Sequence, residues 1–197
     1  MEKIIPRYEF RIFSVNLSQI ERRLNKISKI ENVRKSSEVY IISPATSQCN
    51  VKIRNEQIDV KILINQQHGL EQWFPELKVD FPLSKSTIQE KIFPLLKAEM
   101  PDFVLQEYSQ IQFLDELIEP HDTLRNVAVK KSRYAYTVKD CISEFAKLEV
   151  NQIPVQTVSV ESDNHVTVLE ALSEIGIKNY ENENYIKAIK RLIRIRD

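Results

Sequence analysis

Glycine is nearly missing from this sequence. Only Gly69 and Gly176 occur in 197 residues, where ordinary usage of about 7% predicts roughly 14. A dinucleotide-binding G-x-G-x-x-G turn, a G-x-x-x-x-G-K-[ST] phosphate loop and a G-x-S-x-G nucleophile elbow each need two or three closely spaced glycines, so all three are excluded. Any phosphate bound here must be held by side chains. Cysteine is equally sparse. Cys49 and Cys141 stand far apart with no C-x-x-C spacing, the usage expected of a reduced cytoplasmic protein. An excess of either charge is also lacking, because 28 Lys and Arg balance 28 Asp and Glu. That argues against a general nucleic-acid or anionic-membrane binder, although charge can still be segregated locally. No apolar run approaches the roughly 18 residues of a membrane span. Charges at Glu2, Lys3, Arg7, Glu9 and Arg11 speak against a signal peptide.

What the sequence does have is a globular composition, 42% hydrophobic and 28% charged, without a low-complexity stretch or linker. It reads as a single domain over residues 1–197. Amphipathic patches predict four helices, near Leu17–Ile30, Ser86–Met100, Asn164–Gly176 and from Asn182 or Asn184 onward. Asn16 or Ser18 is expected to cap the first and Ser84 the second, with a kink at Pro94. Gly176 suits a left-handed helix end.

The remaining chain is dominated by alternation. Arg7, Glu9 and Arg11 share one face of a strand, with Tyr8, Phe10 and Ile12 on the other. Lys52 and Arg54, Asp59 and Lys61, then Glu76, Lys78 and Asp80, and later Lys131 and Arg133 repeat the arrangement. Ile142, Glu144, Ala146 and Leu148 share a side, and Thr157, Ser159 and Glu161 lie opposite Val158 and Val160. Two architectures fit. One is an antiparallel sheet with a wet charged face and helices on its apolar face. The other is a closed antiparallel barrel of about eight strands with a charged interior and helices packed outside, an α+β fold. The second requires solvent and a highly charged ligand to fill the interior.

At these positions the chain resembles the CYTH, or triphosphate tunnel metalloenzyme, superfamily, which includes class IV adenylyl cyclases, thiamine triphosphatases and inorganic triphosphatases. The segment Arg7-Tyr8-Glu9-Phe10-Arg11 takes the place of the family's opening E-x-E-x-K strand. Lys52-Ile53-Arg54 with Lys61, and Lys131-Ser132-Arg133, resemble its two basic clusters, while Glu144 and Glu161 resemble its late acidic positions. The resemblance implies a charged tunnel and hydrolysis of an inorganic or organic triphosphate. It assigns Arg11, Lys52, Arg54, Lys61, Lys131 and Arg133 to the substrate. It assigns Glu9, Glu76, Glu144 and Glu161 to one or two Mg²⁺ or Mn²⁺ ions, with Glu9 and Glu144 also catalytic. Adenylyl cyclase activity is the lesser expectation. The implied partner is a small-molecule triphosphate or polyphosphate, with no nucleic acid and no membrane; a homodimer is left open.

Two departures bear on the metal. Arg7 stands where a carboxylate is expected, and Ser159 takes the place of the first Glu of the late E-x-E. The basic set is therefore kept better than the acidic one. A non-catalytic binder of polyphosphate, nucleotide or another organic phosphate is the alternative, and a plain interaction module follows if the charged face is the outside. His68, His121 and His165 lack metal-ligand spacing and read as loop residues. Trp73 reads as a packing anchor, and Cys141 as a small buried hydrophobe.

Overall fold

The computed structural model describes residues 5–195; the charges expected at Glu2 and Lys3 lie outside the described residues. Eight antiparallel strands close into a barrel. In chain order they are β1 (Tyr8–Ser14), β2 (Asn32–Ile42), β3 (Cys49–Arg54), β4 (Gln57–Gln67), β5 (Leu70–Asp80), β8 (Arg125–Val138), β9 (Cys141–Val150) and β10 (Ile153–Ser162). Around the barrel the order is β1-β10-β9-β8-β2-β3-β4-β5. Short strands β6 (Leu83–Ser84) and β7 (Glu107–Tyr108) pair separately. Of the two architectures the alternation allows, the closed one is found.

The helices are α1 (Ser18–Ile27), α2 (Lys85–Thr87), α3 (Phe93–Leu96), α4 (Gln110–Gln112), α5 (His165–Ile175) and α6 (Tyr185–Ile193). α1 is shorter than the periodicity suggests. Its boundary residue Leu17 supplies no side-chain cap, while the Asn16 side chain accepts from the Ser18 N–H at 3.0 Å. The helix expected over Ser86–Met100 is corrected more deeply. α2 passes through a π-helical turn, Ile88–Ile92, into α3, and ends at Leu96 with Lys97 left-handed at φ 50°. Pro94 has no N–H to donate, so the ladder widens there instead of merely bending. Ser84 does cap α2, its hydroxyl accepting from the Thr87 N–H at 3.1 Å. α5 matches expectation, capped by Asn164 and closed by Gly176 at φ 85°. The pair of α4 and the π turn Phe113–Ile118 was not anticipated, although Ser109 and Gln112 form a reciprocal capping box there.

The scarce glycine is compensated in the hairpins. Four two-residue turns have both central residues at positive φ: Asn55-Glu56, His68-Gly69, Lys139-Asp140 and Asn151-Gln152. This is the sign pattern of type I′ turns, which suit the strand twist and favour Asn, Asp and Gly. Glu56, Lys139 and Gln152 therefore adopt the left-handed region with a Cβ present.

The chain divides into two compact units. Of the described residues, the first comprises 5–36, 63–74 and 130–184, and the second 37–62, 75–129 and 185–195. In the first, Phe10 and Ile12 of β1, Phe145 of β9, and Val158 and Val160 of β10 bury against Leu24 of α1 and Val168, Leu172 and Ile175 of α5. Alternation then turns Arg7, Glu9, Arg11, Glu144, Ser159 and Glu161 to the opposite face. In the second unit, Val51 and Ile53 of β3 and Ile58 and Val60 of β4 pack with Phe93, Leu96 and Phe113. That leaves Lys52, Arg54, Asp59 and Lys61 on the face away from this core.

Candidate phosphate-binding site

In the first unit the strand register sets the charges in rows. Arg11 stands opposite Ser159, and Ser159 opposite Glu144, so β1, β10 and β9 contribute one row. One pleat along, Glu9 stands opposite Glu161 on one side and Glu71 on the other. Directly opposed residues project to the same face. Because Ser159 is short, the side chains of Arg11 and Glu144 approach each other across it, Arg11 Nη1 lying 4.0 Å from Glu144 Oε1. Arg133 of β8 reaches the same carboxylate from the other side, its Nε donating to Glu144 Oε2 at 2.7 Å. Arg11 Nε donates to Glu9 Oε1 at 2.8 Å, and its Nη1 reaches Thr157 Oγ1 at 3.5 Å. Arg7 lies 3.9 Å from Glu161.

Arg11, Lys131 and Glu144 are buried, at 5%, 6% and 7% exposure. A charge removed from water must be paired or hydrogen-bonded, and the network does this almost completely. Glu144 Oε1 is the remainder: it is buried and has no hydrogen-bond partner, because 4.0 Å is beyond hydrogen-bond reach.

Several members of this site were not visible in the sequence. Asn182 accepts from the Arg11 backbone N–H at 2.9 Å and donates to the Gly69 carbonyl at 3.0 Å, pinning the strand that carries the arginine. Glu71 is buried and accepts only from neutral donors among the bonds seen, Gln66 Nε2, Trp73 Nε1 and Asn184 Nδ2. The asparagine-rich run before α6 was the available signal for the first. Glu71 had none, since its alternation partner is Trp73. Trp73 thus donates to a carboxylate. His68 lies in a turn as expected, whereas His165 opens α5; their rings stack at 4.6 Å between centroids.

The second unit presents another basic set. Lys52 stands opposite Asp59 across β3 and β4, with Nζ 3.4 Å from Oδ2. Arg54 lies 3.5 Å from the buried Glu38. Lys61 stands opposite Asn50. Tyr40, opposite Lys52, stacks on Tyr185 of α6 at 5.6 Å. Glu76 belongs to this unit and is exposed, whereas Glu9, Glu144 and Glu161 belong to the first. Both cysteines are buried free thiols, and burial pushes Cys49 up to about 12 and Cys141 upward as well.

The donor chemistry can be tested against a divalent ion. Mg²⁺ and Mn²⁺ need several hard oxygens turned toward one point. Here Glu9 and Glu144 are engaged by Arg11 and Arg133. Among the described residues no three acidic, histidine or cysteine side chains gather to hold an ion. In this arrangement the carboxylates fit guanidinium groups and do not fit a metal. No helix of the described residues is long and apolar enough to cross a membrane.

No family model matches the chain, and no curated protein matches it. Solved structures do. HpAC1 from Hippeastrum, a candidate adenylyl cyclase with a dominant triphosphatase activity, is 14% identical with a TM-score of 0.51, covering 95% of this chain and 96% of that one. A candidate adenylate cyclase of Bacillus halodurans, bh2851, is 15% identical with a TM-score of 0.49, covering 94% and 98%. PH1012 from Pyrococcus horikoshii OT3 is 16% identical at 0.49, covering 97% and 99%. The match to HpAC1 shows the fold that the CYTH resemblance implies.

Proposed function

We propose that the chain binds the phosphate chain of a small-molecule triphosphate or polyphosphate, with Arg11, Lys131 and Arg133 as its principal cationic contacts. The observation that carries this reading is the convergence of Arg11 and Arg133 on one carboxylate, Glu144. Two guanidinium groups on separate strands, aimed at the same oxyanion, form a clamp suited to phosphate as well as carboxylate. Lys52, Arg54 and Lys61, which the resemblance also names, form a basic set of their own in the second unit.

A second reading is metal-dependent hydrolysis of the bound triphosphate, favoured by the fold shared with HpAC1 and that protein's dominant triphosphatase activity. It would draw on Mg²⁺ or Mn²⁺ at Glu9, Glu144 and Glu161, and requires Glu9 and Glu144 to leave their arginine partners. Cyclisation of a nucleotide is less supported. One assay separates these readings. The protein is incubated with tripolyphosphate, ATP and thiamine triphosphate in Mg²⁺ or Mn²⁺, beside a Glu9→Ala, Glu161→Ala control. Thermal stabilisation by tripolyphosphate without phosphate release above the control supports binding. Release abolished in the control supports hydrolysis. No stabilisation and no release removes both.

A further inference from the structure

We infer that Glu144 is an internal counter-ion that competes with the ligand for Arg11 and Arg133. The inference rests on the phosphate-binding reading above and adds which residue limits it. Glu144 fills the clamp imperfectly: Oε2 is bonded to Arg133 at 2.7 Å, while Oε1 stays 4.0 Å from Arg11 and has no hydrogen-bond partner. A buried acceptor left this way is costly. An incoming phosphate presents oxygens in more directions than one planar carboxylate and can meet both guanidinium groups at bonding distance.

Charge repulsion points the same way. On this face of the first unit, Glu9, Glu71 and Glu161 stand in one row and Glu144 in the next. Each carboxylate repels a polyanion, so one bonded to the arginines must yield before a phosphate chain is held. Glu144 is the one lying between both arginines. Ser159 completes the arrangement, since a carboxylate at that place would add a second competitor between Arg11 and Glu144.

The test is calorimetric titration of the full chain with sodium tripolyphosphate, in EDTA and again in Mg²⁺. Glu144→Gln keeps an oxygen for Arg133 and removes the charge; it is expected to tighten binding in EDTA at least tenfold. Ser159→Glu is expected to weaken binding at least tenfold in either buffer. Circular dichroism melts confirm that each variant is folded, and each alone decides the sign should the other fail to fold. Wild-type binding that Glu144→Gln leaves unchanged or weakens overturns the competition and leaves the phosphate reading standing. Binding strengthened by Ser159→Glu in Mg²⁺ overturns it likewise, in favour of a metal site. Absence of binding in wild type and both variants, with and without Mg²⁺, overturns the phosphate reading itself.

Discussion

Arg11, Glu9, Glu144 and Arg133 form one connected network in the first unit, whereas the second unit matches Lys52 with Asp59 and Arg54 with Glu38 across neighbouring strands. Each set has a buried centre and a wetter rim: Arg11 and Glu144 against Arg133 in the first unit, and Glu38 against Arg54 in the second. The same alternating strand pattern has thus produced two kinds of charged surface. Where a small residue, Ser159, separates long charged ones, one carboxylate is shared between two cations. Where each cation meets an acid of its own, as Lys52 meets Asp59 and Arg54 meets Glu38, the contacts stay pairwise. Sharing makes the first unit the place where a single substitution matters most.

The largest expected effect follows directly. Arg11→Ala removes a buried guanidinium from both Glu9 and Glu144, and should cost about 3 kcal/mol or more of unfolding free energy. Lys52→Ala should cost less, about 1.5 kcal/mol, because it takes the cation from one carboxylate, Asp59, and not from two. Chemical denaturation of both variants checks the contrast, and equal losses would erase it.

Smaller effects should not distinguish the units at all. Glu56 lies in a hairpin turn of the second unit and Gln152 in one of the first, both left-handed. Glu56→Gly and Gln152→Gly should each stabilise by about 0.5–1 kcal/mol, since relief of backbone strain exceeds the added freedom of the unfolded chain. A destabilised variant would show that the native side chain is held by contacts worth more than the strain. The smallest effect is chemical. Cys49 and Cys141, one in each unit, should be inert to a thiol reagent near pH 8 in the native protein, as both thiols are buried and shifted upward. For Cys49 the raised native value also means stability that is full below its ordinary 9.0 and declines as pH climbs toward about 12.

Much of the fold was legible because alternation and capping are local. Phe10, Ile12, Val158 and Val160 reported the buried face, and Arg11, Glu9 and Glu161 the opposite one. Asn164 and Gly176 marked α5 at both ends. The π turns were not legible, since the shift in hydrogen bonding around Pro94 depends on packing of Ile88, Ile92 and Phe93 in the second core. β2 was missed because its first half is polar and exposed. In the site, residue types were readable but partners were not. Register brings Ser159 between Arg11 and Glu144, and register is a long-range property that no spacing within one strand reveals. The same holds for Asn182, which reaches Arg11 across 171 positions of sequence.

The central claim is that guanidinium groups of the first unit hold a phosphate chain. Its most direct measurement is titration of tripolyphosphate, in EDTA, into wild-type protein and into Arg133→Ala. Arg133 is the better choice because, with a side chain 26% exposed, it is less bound up with stability than Arg11. The account predicts saturable binding by the wild type and an affinity at least tenfold weaker in the variant, the loss of one charge-assisted contact of about 1.5 kcal/mol or more. Equal affinity in the two proteins would contradict it.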